Sequence, residues 1–158
     1  VVGLEFLPFT NIVDAADALA NVEQADRHNR GVCVDISHQA RGANDLDLDR
    51  SIPPELIMGV QMSDGPHEPA LDDYKDDCLR NRVPPGEGEF GAVDFVRTLI
   101  DLGIVVPWSL EVCNDDVWGH PGLDHVRAAA DAMRHVLAEA RHVRDVPGTS
   151  RTQSEEMR

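Results

Sequence analysis

Long apolar runs are missing from this sequence: no stretch approaches the ~18 apolar residues of a membrane span, and no basic segment followed by an apolar one marks a secretion leader. A cytoplasmic protein without membrane contact is expected. Basic residues are scarce as well. Only 14 stand against 29 acidic ones, for a formal net charge of -15, a field that repels a phosphate backbone and excludes nucleic acid as the expected partner. Lys75 is the sole lysine and sits among aspartates, which removes both the GxxxxGK[ST] phosphate loop and a Schiff-base route. GxGxxG is absent too. Cys33, Cys78 and Cys113 are an odd set without CxxC spacing, unsuited to a disulfide framework or a zinc knot. Cys33 and Cys113 read as small core hydrophobes. The chain also lacks an initiator methionine, opening at Val1 directly in VVGLEFL, so an upstream segment is expected.

What is present suits one globular domain: 158 residues, 42% hydrophobic and 27% charged, enough to bury a core. Four short apolar runs read as buried strands: Val1 to Phe6, Gly31 to Ile36, Leu56 to Met62, and Val105 to Val112 around Pro107. Between the first two, Ile12, Ala16, Leu19, Ala20 and Val22 or Glu23 fall at helical spacing, with Thr10 or Asn11 as the cap and Gly31 after the end. A second helix is predicted from Gly91 to Leu102, stopped by Gly103. A third follows Pro121 and carries Leu123, Val126, Ala130, Met133, Val136 and Leu137. Between Ser37 and Pro54 the pattern is weak, with DLDLD holding one helical turn at most. The acidic stretch from Gly65 to Glu89 reads as a functional loop. Residues 1–145 form the expected domain, and 146–158 a disordered tail. Strands alternating with helices imply a parallel sheet, either doubly wound or part of a (β/α) barrel.

Each apolar run ends near one polar, ligand-type residue: Glu5 in VVGLEF, Asp35 in GVCVDIS, Gln61 in MGVQMSD and Glu111 in WSLEVCND. The carboxyl ends of parallel strands form the active-site rim, so the four converge. Three carboxylates gathered in an apolar interior repel one another unless a cation neutralises them. Oxygen ligands in this number suit Mn2+, Mg2+ or Co2+ better than a structural zinc. The competing reading is four isolated buried polar groups, each with its own hydrogen bond.

The motifs LEF, VDISH, VQMSDG, RNRVPPGEGEF and SLEVCND, in that order, resemble the second half of the sugar phosphate isomerase/epimerase proteins of the xylose isomerase-like TIM barrel superfamily, over nearly everything from Val1 to about Val143. The resemblance implies an α/β fold made of strands five to eight of a (β/α)8 barrel. It also implies metal ligands at Glu5, Asp35, Gln61 and Glu111, with Glu5 and Glu111 as the base and acid of proton transfer through an enediolate. Gln61 departs from the histidine common in the epimerases and resembles the glutamine of 3-dehydroshikimate dehydratases. His38 and Arg82 are the expected substrate-binding residues, with Arg80 a weaker candidate. Asp64 and PPGEG shape the rim.

The activity implied is therefore a divalent-metal-dependent sugar or sugar-phosphate isomerase/epimerase acting on a small sugar or polyhydroxylated substrate. A dehydratase and a non-catalytic sugar-binding barrel are the alternatives. Abasic-site endonucleases share the barrel, but their histidine-rich zinc cluster and basic face are absent. A barrel needs roughly 250 residues, so the fragment alone is expected to be inactive and to aggregate or pair with another half. A homo-oligomer is admissible for the full-length protein.

Overall fold

The computed structural model describes residues 1–117 and 119–142. Among them, four strands run parallel in the order β1-β2-β3-β4: β1 Val2–Glu5, β2 Arg30–Asp35, β3 Ile57–Met62 and β4 Trp108–Leu110. Chain order equals spatial order, with no reversal of the kind that marks a doubly wound sheet. The arrangement is that of successive barrel units. Helices fill the connections, α1 Ala15–Ala25, α2 Ile36–Arg41, α3 Leu46–Ser51, α4 Tyr74–Arg80 and α5 Ala92–Asp101, and α6 Gly122–His142 follows β4.

The two faces of the sheet differ in chemistry because strand side chains alternate. Val32, Val34, Val60 and Met62 are fully buried on one face, with Phe6, Val22, Phe95, Val96 and Leu99 in the same core. The opposite face carries Glu5 paired with Cys33, Asp35 paired with Gln61, and Gln61 paired with Ser109. Glu111 follows two residues on. Most of this second face is half-buried or open. A bulge at Met58 reconciles the faces: Val32 pairs with Ile57 but Cys33 with Gly59, so one extra residue is absorbed. Met58 lies against Gly31, where a Cβ would stand 2.1 Å from Met58 Cγ and 2.4 Å from the Leu56 carbonyl. Only glycine leaves that space.

Several sequence expectations change here. α1 is capped by Asp14, whose carboxylate accepts from the Asp17 amide at 2.9 Å, not by Thr10 or Asn11. It buries Ala15, Ala18 and Val22, while Ala16 and Ala20 face out. The Gly65 to Glu89 segment is not all loop, since α4 lies within it. β4 is shorter than the apolar run around it. In α6, Leu123 and Val126 are exposed, and Ala129, Met133, Val136 and Ala140 form the buried stripe. Cys33 and Cys113 are only half-buried, and Cys78 is the core cysteine. The expected tail at 146–158 lies outside the described residues.

Candidate metal and acid–base site

The site is assembled from strand ends. Glu5 closes β1, and Asp35 closes β2 and also caps α2. Asp35 Oδ1 accepts from the Ser37 amide and hydroxyl, each at 2.6 Å, and from the His38 amide at 3.4 Å. Capping thus fixes the first turn of α2 and swings His38 back over the sheet. There His38 Nε2 stands 3.5 Å from Glu5 Oε1. Ligand atoms of Glu5, Asp35 and His38 all lie within 4.8 Å of one another.

Arg82 ties the other carboxylate in. Its Nη1 donates to Asp35 Oδ2 at 2.8 Å and to Glu111 Oε2 at 3.1 Å, and its Nη2 faces His38 Nε2 at 3.3 Å. The chain behind the guanidinium is fixed by Nε donating to the Cys78 carbonyl and by the Arg82 amide donating to the Cys113 carbonyl. Gln61 shares the face, and its Oε1 accepts from the Cys33 thiol at 3.2 Å. Arg80 turns outward to an exposed ion pair with Asp115. Asp64 accepts from the amides of Gly65, Gly86 and Phe90 and so holds the PPGEG turn.

Electrostatics divide these groups. Burial together with the Asp35 and Glu111 charges pushes Glu5 up to about 7. Burial and the neighbouring Asp35 carboxyl also push Glu111 up. For Asp35, burial works upward, but Arg82 and His38 outweigh it and hold the carboxyl below its usual range. Burial lowers His38 to about 4, leaving a neutral ring at pH 7. Burial and the surrounding carboxylates push Cys33 up to about 12, so it remains a thiol donor.

A divalent cation fits this donor set. Glu5 Oε1 is buried without a hydrogen-bond partner, a costly state for a carboxylate oxygen, and two carboxylates with a neutral imidazole are ordinary ligands. Beside them opens a cleft of about 260 Å³ lined by Glu5, Leu7, Phe9, His38, Lys75, Arg82 and Glu111 among others. All six expected site residues stand on this face or its rim. Glu5, Asp35 and His38 form the tight cluster, Glu111 joins through Arg82, and Gln61 is engaged by Cys33. His38, expected from sequence to meet substrate, is close enough to the two carboxylates to serve as a ligand. Tyr74 was not legible as part of the site, although its hydroxyl meets His38 Nδ1 at 3.0 Å. It is the only tyrosine and follows the N-cap Asp73.

The sequence profile of the xylose isomerase-like TIM barrel matches residues 1–138. A 3-dehydroshikimate dehydratase of Pseudomonas putida is 31% identical over 137 residues, covering 86% of this chain and 21% of that protein. Among solved structures, a xylose isomerase-like TIM barrel/4-hydroxyphenylpyruvate dioxygenase fusion protein is 31% identical with a TM-score of 0.71, covering 84% of this chain and 20% of that one. The structure of the IOLI protein with a bound zinc atom superposes with a TM-score of 0.77 at 18% identity, over 87% of this chain and 49% of that one. The chain spans about a fifth of the curated relative's length, and the zinc-bound likeness speaks for the fold alone. The order of the strands and the profile match agree: the chain belongs to the xylose isomerase-like TIM barrel family.

Proposed function

We propose that this chain provides the metal-holding and proton-transfer part of a lyase of the 3-dehydroshikimate dehydratase type. The observation that carries the reading is Glu5: a carboxylate with a buried oxygen that makes no hydrogen bond, clustered with Asp35 and His38. The 31% identity to the Pseudomonas putida dehydratase supports this reaction class. When bound, a divalent cation supplies Lewis-acid polarisation of a substrate carbonyl. Asp35, Glu5 and His38 would hold it, with Glu111 and Gln61 completing the expected set.

The chain's own residues then divide the proton work. Glu5, which lines the cleft, removes a proton from the carbon next to the carbonyl. Glu111, pushed up by burial and Asp35, delivers a proton to the departing β-hydroxyl, which leaves as water. Arg82 stays charged between Asp35 and Glu111 and faces the cleft, where it balances negative charge growing on substrate oxygen. The sugar isomerase/epimerase reading draws on the same pair: two carboxyls raised together suit removing a proton and returning it to carbon.

Full-length protein with Mn2+ or Co2+ should convert 3-dehydroshikimate to a product with aromatic ultraviolet absorbance, and a chelator should abolish it. Conversion of ketoses instead, without such absorbance, would establish the isomerase. Glu111→Gln should lower kcat by about 10²–10⁴-fold. Unchanged ligand affinity in that variant, with no metal dependence and no turnover, would mark a sugar-binding barrel.

A further inference from the structure

We propose that Tyr74 is a positioning residue that fixes the tautomer of His38, placing the ring proton on Nδ1 and turning the Nε2 lone pair toward Glu5 and Asp35. The inference rests on the site reading above and concerns how the imidazole is prepared for it. Two hydrogen-bond contacts bracket the ring, while Glu5 Oε1, 3.5 Å from Nε2, makes no hydrogen bond. Arg82 Nη2 lies 3.3 Å from Nε2, and a guanidinium can only donate, so Nε2 accepts and carries no proton. The proton of the neutral ring is therefore on Nδ1. Tyr74 Oη lies 3.0 Å from Nδ1 and 3.3 Å from the Ser37 carbonyl oxygen, which can only accept.

One arrangement satisfies all three groups. Nδ1–H donates to Tyr74 Oη, Tyr74 O–H donates to Ser37 O, and in the metal-free protein Nε2 accepts from Arg82, a contact that a cation on Nε2 would replace. The reverse tautomer would set an Nε2–H against a guanidinium N–H. The ring is also held in place: Phe9 packs edge-on against both His38, at 6.0 Å between centroids, and Tyr74, at 5.5 Å. Arg41 lies over the Tyr74 ring at 5.5 Å. A partner on one ring nitrogen that presents the other as a ligand is the usual logic of histidine at metal sites. Here that partner comes from α4, inside the acidic segment rather than from the sheet.

The test is nitrogen-15 NMR of the protein labelled at its histidine rings, without metal, with the His38 signals assigned by their loss in His38→Gln. A pyrrole-type Nδ1 and a pyridine-type Nε2 are expected in the wild type. Tyr74→Phe, which keeps the ring contacts, should shift His38 toward the Nε2–H form and weaken Zn2+ binding about 10–100-fold. A wild-type ring protonated on Nε2 would overturn the proposal, with no variant needed. So would a Tyr74→Phe spectrum unchanged at His38. Failure of the wild type to bind Zn2+ would instead count against the metal site, since the tautomer is read in metal-free protein.

Discussion

Arg82 is buried with three of its polar contacts on groups of the site. Removing it leaves Asp35, which is fully buried, without its strongest counter-charge. Arg82→Met should therefore cost about 3–5 kcal/mol in urea unfolding. Arg82→Lys should recover little, because a single ammonium cannot span Asp35, Glu111 and His38 as the guanidinium does. Asp49 makes a contrasting case away from the site. Its two carboxylate oxygens are buried with no partner, and burial with the nearby Asp45 charge pushes it up to about 7. The folded state thus binds this proton more tightly than the unfolded chain, whose aspartate titrates near 3.8. Stability is lost as pH rises through the window from about 3.8 to about 7. Asp49→Asn should match the wild type near the lower limit and exceed it at pH 8 in thermal melts. Equal stability of the two at pH 8 would refute the assignment.

At the scale of elements, α4 and the segment before it are pinned by one buried residue. Asp77 accepts from the Ala70 and Leu71 amides and from Asn81 Nδ2, and it pairs with Arg41 of α2. Asp77→Ala should leave Arg41 uncompensated, cost about 3–5 kcal/mol, and open residues 65–73 to limited proteolysis. An unchanged cleavage pattern would show that the segment is held by other means. This anchoring also explains what the sequence could convey. The four strands and α1, α5 and α6 announce themselves through apolar periodicity, as Val93, Val96, Leu99 and Ile100 do in α5. The strand-end residues Glu5, Asp35, Gln61 and Glu111 were visible for the same reason. α2 and α4 carry no such stripe. Asp35 and Asp73 cap them, and contacts between distant residues such as Arg41 and Asp77 hold them. Periodicity cannot reveal a helix whose stability is tertiary. Tyr74 stayed hidden with α4, and the approach of His38 to Glu5 depended on an unread α2. The expected α6 face was offset because Leu123 and Val126 suggested burial that the first turns of the helix do not have.

On the scale of the whole molecule, acidic residues outnumber basic ones by two to one, and several of them are concentrated at one end of the sheet. A cation bound there acts on the entire folding equilibrium. At a hundredfold excess over its Kd, Mn2+ or Zn2+ should stabilise the protein by about 2.7 kcal/mol. That gain should appear as a raised Tm, reverse with chelator and vanish in Glu5→Gln. A Tm indifferent to divalent ions would remove the cation from the account.

The Met58 bulge bears on how this architecture tolerates change in length. Ile57, Val60 and Met62 are all buried, yet 57 and 60 are an odd number of residues apart, which a regular pleat could not bring to the same side. The bulge works as a parity correction. Losing Met58 would leave Gln61 on its present side, opposite Ser109, at the cost of a hole beside Gly31. One residue gained or lost beyond Gly59 would rotate Gln61 into the apolar layer and bring a hydrophobe to the cleft, so length variation in this strand is confined to a single position.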